Sequence, residues 1–215
     1  LESLKKLGGI VQIALEPMGE SSIESILREG YSIRNQIFLD QIIKVAKGNL
    51  RLAVLAAKKA KGGFAEITNC KDLLGLCYGD AVDQWGDNCV LACEIAALLG
   101  PHATIDNKNL ETIESALSIP HKDYLDACAE LCAKEVMDMV HDYRAVSLDE
   151  QNLRDYFIYR CLVVDRKLSF EDLWLLEQGQ IITAKAVNVL FRVFNDESLF
   201  DFTQKSVRSM WPKLS

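Results

Sequence analysis

The sequence has no loop of the form Gly-x-x-x-x-Gly-Lys-Ser/Thr, the backbone cradle with which many ATPases hold phosphate. Its three histidines are widely separated, and none has a neighbouring nucleophile that would complete a catalytic triad. The longer apolar runs, such as residues 89–100, are too short to cross a bilayer, and this one contains Glu94. We therefore expect a chain that hydrolyses nothing by itself and does not enter a membrane.

Basic residues are also too few for a general nucleic-acid binder. The chain has 24 Lys and Arg residues against 31 Asp and Glu residues, a net charge of −7, whereas phosphate binding needs clustered cations. Its 215 residues are 49% hydrophobic and 26% charged, values typical of globular domains. No secretory signal is visible, and the sequence opens with Leu1 rather than Met. We expect a cytoplasmic protein and interpret the chain as a fragment or a processed form.

Seven cysteines are present, and they lie in helix-like segments. An odd number in such segments is typical of reduced thiols in a cytosol. Two pairs, Cys89/Cys93 and Cys128/Cys132, have the i,i+4 spacing of one helix face, so a four-cysteine zinc site is one interpretation. Structural zinc usually takes its ligands from turns, however, and buried Cys behaves as a small apolar side chain. We favour burial and expect no metal.

Segments with helical periodicity cover most of the chain, which predicts a mainly α fold. The start is an exception, because residues 10–15 are typical of a short strand that Glu16 and Pro17 close. Four helices follow and form one unit, the first of them capped by Ser21 or Ser22 and ended by Gly30. The four predicted helices cover residues 21–29, 35–47, 49–61 and 69–85.

The next part of the chain has a different order of elements, three helices followed by two strand-like runs. The predicted helices and strands cover residues 88–99, 109–116, 120–133, 135–140 and 144–148. His141, Asp142 and Tyr143 form the turn between the two strands. This order indicates a winged-helix domain whose wing is the short β-hairpin.

The remaining residues predict a C-terminal helical array. Ser169 is the expected cap of its second helix, and Asp172 three residues later fits the acidic variant of a capping box. The predicted helices cover residues 149–164, 169–178, 181–194 and 198–210.

One segment resembles a known element. The sequence Ile42-Ile-Lys-Val-Ala-Lys-Gly-Asn-Leu-Arg-Leu-Ala-Val-Leu-Ala-Ala57 combines a helix, a Gly-x-x-Arg break and a second helix of small residues. It resembles the helical lid that follows the nucleotide-binding sheet in ATPases of the AAA+ and STAND classes. Residues 11–17 resemble the last strand of that sheet, and a winged helix and a helical sensor array follow in the same order. The nearest resemblance is to prokaryotic STAND ATPases, some of which serve antiviral defence.

The resemblance implies four parts in this chain. Residues 1–17 would be the remnant of a nucleotide-binding core strand, and residues 18–86 the helical lid. Residues 87–148 would be the winged helix, and residues 149–215 the start of the helical sensor region. The nucleotide itself, ATP or ADP with Mg²⁺, would be held by an upstream nucleotide-binding domain.

Arg51 is the residue that the resemblance ties to function. Gly48 and Asn49 break one helix and start the next, which places Leu50 and Arg51 in the first turn of the new helix. A guanidinium beside outward-pointing backbone N–H groups at a helix start favours a phosphate. In the family the matching arginine senses the γ-phosphate, so these four residues are the predicted nucleotide-sensing set. The alternative is an arginine that lies over the lid surface. His141 is a weaker candidate for a nucleotide contact.

These features predict the regulatory and sensor region of a STAND-like signalling ATPase, which couples the nucleotide state to recognition of a partner or trigger protein. One alternative is a winged-helix module that binds DNA, as in replication initiators. Acidic residues on its recognition helix, residues 120–133, disfavour DNA as a partner. The charged residues on and beside that helix are Lys122, Asp123, Asp126, Glu130 and Lys134. A further alternative is a helical protein-interaction scaffold without a nucleotide role.

Overall fold

The computed structural model describes residues 18–46, 48–60, 70–140, 144–194 and 197–210. Helices dominate these ranges, and one small antiparallel sheet accompanies them. The prediction of a mainly α fold is therefore confirmed. The chain divides into two compact units, Leu1–Ala65 and Glu66–Ser215. Within the described ranges, every helix falls short of the length and apolarity that a bilayer crossing requires. The strand predicted over residues 10–15, and with it the whole predicted core remnant of residues 1–17, lies outside those ranges.

The first unit contains three described helices, each with one apolar face turned inward. They are α1 (Glu20–Tyr31), α2 (Gln36–Ala46) and α3 (Leu50–Ala60). Each of the three packs against the other two. The buried side chains recur three or four residues apart, which is the spacing of one helix face. They include Ile23, Leu27, Leu39, Ile42, Leu52 and Ala56.

The ends of α1 differ from the prediction. The residue before the helix is Gly19, which provides no side-chain cap, so the expected cap at Ser21 or Ser22 is wrong. Both serines lie inside the helix because it begins before them. Gly30 also lies inside the helix rather than ending it. The helix is followed by Ser32, whose left-handed backbone (φ +57°) turns the chain away.

The second unit holds the other described helices, two of which change to π-helical geometry at their C-terminal ends. Helices α4 to α11 are, in order, Cys70–Val82, Asp87–Leu99, Lys108–Leu117, His121–Ala133, Gln151–Tyr159, Phe170–Trp174, Gly179–Asn188 and Glu197–Met210. The π-helical segments Arg160–Val164 and Val189–Phe194 continue α8 and α10. The helix predicted over residues 169–178 is shorter than expected, because it ends at Trp174.

Helix α4 belongs to the second unit. It packs on α8 and on the π-helical segment that continues α10. The sequence grouped this helix with the three before it, in the lid predicted over residues 18–86. Periodicity identifies the apolar face of a helix but not the surface that covers it, which is why the grouping differs. The predicted boundary at residue 148 separates the winged helix from the helical sensor region. It stays a prediction, because the residues on both sides of it lie in the second unit.

The sheet has three short antiparallel strands. They are β1 (His102–Ala103), β2 (Asp138–Val140) and β3 (Ala145–Ser147), and β3 lies between the other two. Val146 pairs with His102 of β1 and with Met139 of β2. Strands β2 and β3 are the predicted hairpin, with fewer residues than expected, and its turn lies outside the described residues. Strand β1 was not predicted, because two residues provide no alternating pattern.

Helix α5 lies at the centre of the second unit. It packs against α6, α7 and α8, and its side chains from Cys89 to Leu98 are buried except that of Leu91. Burial on nearly all sides explains why this segment is an almost uninterrupted apolar run. The largest fully buried side chains of the unit are Tyr124 of α7 and Phe157 of α8.

Ser169 and Asp172 form the predicted capping box at the start of α9. Both hydrogen bonds of the box are present, so this prediction is confirmed.

The connection between α9 and α10 is tight. Gly179 then begins α10 so close to α9 that an added Cβ would lie 2.2 Å from the carbonyl oxygen of Trp174. Only glycine fits this position, because any side chain would collide with backbone atoms.

Candidate nucleotide-sensing site

The turn between α2 and α3 is built as the sequence predicted. Gly48 has a left-handed backbone (φ +83°), which glycine adopts without strain. The backbone N–H of Asn49 donates to the carbonyl of Ala46 at 2.8 Å and closes the end of α2. The carbonyl of Gly48 accepts from the N–H of Met18 at 2.9 Å, so the turn is also tied to the residues before α1.

Asn49 caps α3 with its own side chain. Its Oδ1 accepts from the backbone N–H of Arg51 at 3.1 Å and of Leu52 at 3.3 Å. Asn is among the preferred residues at this position, because its side chain satisfies N–H groups that have no partner within the helix. These two N–H groups therefore do not point outward to a phosphate, and that part of the expectation is wrong. An anion at this helix start would displace the Asn49 amide or bind through a side chain.

Arg51 is exposed, whereas its neighbours Leu52 and Ala53 are buried in the first unit. The Asn49 cap and the buried side chains of Leu52 and Ala53 fix the position of the first turn of α3. The Arg51 side chain is therefore attached to a rigid part of the backbone at the surface. Leu50 is half-buried. The role of Arg51 as a nucleotide sensor stays a prediction. His141, the weaker candidate, lies outside the described residues.

A network of charged side chains lies in the second unit. Glu94 is completely buried in α5, and both of its carboxylate oxygens accept from Lys167 Nζ, at 3.0 and 2.9 Å. Asp165 Oδ2 extends the network, at 3.4 Å from Lys167 Nζ and 3.0 Å from Arg160 Nε. Burial raises the pKa of the Glu94 carboxyl, while Lys167 acts in the opposite direction. The network ties the residues after α8 to the middle of α5.

His102 forms a second buried polar group. Its Nδ1 lies 2.7 Å from the carbonyl of Gly100, and its Nε2 lies 2.8 Å from the Tyr124 hydroxyl. A carbonyl can only accept, so Nδ1 carries the proton and Nε2 accepts from the tyrosine. Burial lowers the pKa of His102 and keeps the ring neutral. The hydrogen bond between His102 and Tyr124 links β1 to α7, so the role of His102 is structural.

Most of the described cysteines are buried, as the sequence predicted. Cys89, Cys93, Cys128 and Cys161 are buried free thiols, and burial raises the pKa of Cys128 to about 12. Cys132, the remaining member of the two i,i+4 pairs, is half-buried. In the part of the chain that the structure describes, no three His, Cys, Asp or Glu side chains come together in a way that could hold a metal ion.

Sequence reasoning missed the cap at Asn49 and the partner of Glu94. The signal for the cap was present, since Asn directly before a helical run is a common helix start. Glu94 was also visible as the only charge in an apolar run. The sequence did not identify Lys167 as the partner of Glu94, because the two residues lie 73 positions apart and no local pattern connects them.

Comparisons of the chain with the known protein families, with curated proteins and with solved structures find no match.

Proposed function

We propose that this chain is the regulatory and sensor region of a STAND-like signalling ATPase. The observation that carries the proposal is the order of the elements together with the strand order of the sheet. The first unit has three described helices, with Arg51 in the first turn of the third. The unit that follows it in the chain contains a helix, a short strand, two more helices and a β-hairpin, in that order. Lid, winged helix and helical array follow one another in this way in that class of ATPase.

The sheet supports the winged-helix part of the proposal. In a winged helix, a short strand between the first and second helices pairs with the second strand of the C-terminal hairpin. Strand β1 lies between α5 and α6 and pairs with β3, which gives the order β1-β3-β2. Helices α5, α6 and α7 are the three helices of this arrangement, and β2 and β3 are its wing. The pairing of β1 with β3 adds support that the order of the elements alone does not provide.

The surface of α7 favours a role in protein contacts over DNA binding. In a winged helix, the third helix is the one that enters the major groove. On α7, Asp126 and Glu130 are exposed, and the nearby Lys134 is engaged by Glu130 at 2.6 Å. DNA binding depends on protein cations that release counterions from the DNA phosphates. Exposed carboxylates on α7 would instead repel the phosphate backbone of DNA. We therefore keep DNA as the less favoured alternative.

In the proposed mechanism, Arg51 reads the nucleotide held by the upstream domain. The Asn49 cap fixes the first turn of α3, so the guanidinium is presented from a rigid helix end rather than from a loop. A γ-phosphate provides a binding partner that ADP lacks, and its loss on hydrolysis changes the free energy of lid closure. The helical array would then pass this state to a trigger or partner protein, in antiviral defence or another signalling response.

The test uses the longest natural chain that contains these residues. Its sequence should contain a Gly-x-x-x-x-Gly-Lys-Ser/Thr loop before the first unit, and the purified protein should bind ATP and ADP. Arg51→Ala should reduce the preference for ATP over ADP by about tenfold, because one charge-assisted contact is lost. Lys58→Ala, which removes an exposed cation from the other end of α3, should leave that preference unchanged.

Two results would contradict the proposal. A natural chain without a phosphate-binding loop would remove the ATPase assignment altogether. A loop that is present, with equal nucleotide preference in Arg51→Ala and in the unsubstituted protein, would remove Arg51 from the site but leave the assignment of the domains.

A further inference from the structure

A cleft opens between the last two helices of the described chain. Helix α11 packs on α9 and on the π-helical segment that continues α10. Between α10 and α11 lies a cavity of about 330 Å³, and Trp174 of α9 also lines it. This volume falls at the lower end of the range of small-ligand sites, roughly 300–1,000 Å³. The cleft lies wholly within the second unit.

The walls of the cleft are mainly apolar. Ala184 and Val187 line it from α10, and Phe200 and Val207 from α11. Phe191, in the π-helical segment, stacks on Phe200 with 4.9 Å between the ring centroids. Phe200 is nevertheless 49% exposed. An open apolar surface of this kind is stabilised when a hydrocarbon group displaces water from it.

Two buried hydroxyl groups lie in the same walls. Thr183 of α10 is 4% exposed and Thr203 of α11 is 0% exposed, and both line the cavity. Among the described residues, neither hydroxyl finds a hydrogen-bond partner. A buried hydroxyl without a partner lowers stability. Threonine in a helix has two accessible χ1 rotamers, so a rotation can turn each hydroxyl toward an oxygen atom placed in the cleft.

Arg208 gives the cleft its charge. It is exposed at the C-terminal end of α11 and lines the cavity. No carboxylate of the described residues pairs with it. Its guanidinium is always protonated and offers a fork of donors that matches a carboxylate. Lys205, one turn earlier on α11, is exposed but does not line the cavity.

We propose that this cleft binds a small amphiphilic carboxylate. The hydrocarbon body of the ligand lies between the aromatic and aliphatic walls, and its carboxylate pairs with Arg208. Oxygen atoms of the ligand accept from the threonine hydroxyls, which thereby gain the partners they lack. The site does not depend on the nucleotide role of the first unit.

The probe is decanoate, titrated below its micelle concentration and followed by Trp174 fluorescence and by calorimetry. We expect a Kd of about 0.1 mM, which is modest for a ligand of twelve heavy atoms. Decanol and decylamine share the hydrocarbon body but lack the negative charge, so each should bind about tenfold more weakly. Trp174→Phe should abolish the fluorescence change, while calorimetry still detects binding.

Substitutions locate the ligand within the cleft. Ala184→Trp fills the cavity from an exposed position of α10, so it should abolish binding without unfolding the protein. Arg208→Gln should weaken decanoate binding about tenfold, and Lys205→Gln on the same helix should not change it. Thr183→Val and Thr203→Val keep the side-chain shape, so each should weaken binding about threefold while Tm is unchanged or higher.

Several outcomes would overturn the proposal. Decanoate binding that survives Ala184→Trp would place the amphiphile elsewhere on the protein. Decanol that binds as tightly as decanoate would remove Arg208 and the carboxylate from the proposal. Absence of decanoate binding, combined with self-association that Ala184→Trp abolishes, would make the cleft a protein contact instead.

Discussion

Lys167, which is half-buried, contacts both carboxylate oxygens of the fully buried Glu94, at 3.0 and 2.9 Å. Glu94 belongs to the most buried helix of the unit, and Lys167 belongs to the residues that follow the π-helical end of α8. The pair therefore joins two parts of the chain that local sequence does not bring together. A carboxylate in such a position is stable only while its partner remains.

Lys167→Met should destabilise the protein by about 3 kcal/mol, because it leaves the buried Glu94 without its cation. The double variant Glu94→Gln, Lys167→Met should recover a large part of this loss, since neither charge then remains. Urea unfolding with coincident fluorescence and circular-dichroism transitions measures both values. Asp83→Asn is the control, because Asp83 is mostly exposed and lies 3.8 Å from Arg160, and it should change stability by less than about 0.5 kcal/mol. A single Lys167→Met variant as stable as the control would contradict this account of the pair.

The stability of the second unit should fall as the pH drops through the range in which histidine titrates. Burial lowers the pKa of His102 below the value of 6.5 that applies in the unfolded chain. The unfolded chain therefore takes up the proton first, so the contribution is complete above pH 6.5 and is lost as pH falls toward the lowered pKa. His102→Asn should show a smaller loss of stability than the unsubstituted protein between about pH 7.5 and about pH 5.5. An NMR titration of the His102 ring tests the direction of the shift directly, and a midpoint at or above 6.5 would refute it.

Asn49→Ala should destabilise the first unit by about 1 kcal/mol, because the N–H groups of Arg51 and Leu52 lose their acceptor. Asn49→Ser should retain most of the stability, since serine is an equally good cap. Hydrogen exchange is the suitable measurement, because it reports on the three helices of the first unit separately from the second. Equal exchange rates in the alanine and serine variants would show that the cap contributes nothing.

Gly179→Ala should destabilise the protein by more than about 2 kcal/mol. The added Cβ would lie 2.2 Å from the carbonyl oxygen of Trp174 and 2.5 Å from that of Leu173, and backbone atoms cannot move aside easily. Gly75→Ala in α4 is a matched control within the same unit, because its added Cβ would meet no described atom within 4 Å beyond its chain neighbours and the nearby backbone of its own helix. It should be stabilising by about 0.5–1 kcal/mol, the usual gain for alanine over glycine in a helix. Thermal unfolding of the two variants should therefore shift in opposite directions.

The helices could be predicted from the sequence because their buried faces repeat every three or four residues. Helix α7 was expected over residues 120–133 and runs from His121 to Ala133. The serine cap of α9 was also readable, because the capping box is local. Strand β1 was not, since its pairing partner β3 lies more than 40 residues away along the chain. Local patterns thus identified the elements, and contacts distant in sequence decided how they pack.

The candidate site shows the same limit at the level of single residues. Gly48 and Asn49 were correctly expected to end one helix and begin the next. Asn before a helical run is a common cap, but the sequence leaves open which backbone N–H groups its side-chain oxygen binds, because that depends on the side-chain rotamer. Nor could the spacing of residues bring Thr183, Thr203 and Arg208 into one cleft, since α10 and α11 meet only in three dimensions.

The π-helical end of α8 constrains the length of the chain as well as its composition. The N–H of Asp165 donates to the carbonyl of Arg160 at 2.9 Å, five residues earlier, whereas an α-helix joins residues four apart. Removing one residue from Arg160–Val164 would restore ordinary α-helical winding and rotate everything beyond it by about 100° around the axis. Lys167, which follows the helix, would then no longer face Glu94. Natural variants of this protein should accordingly exchange amino acids in that segment more freely than they gain or lose one.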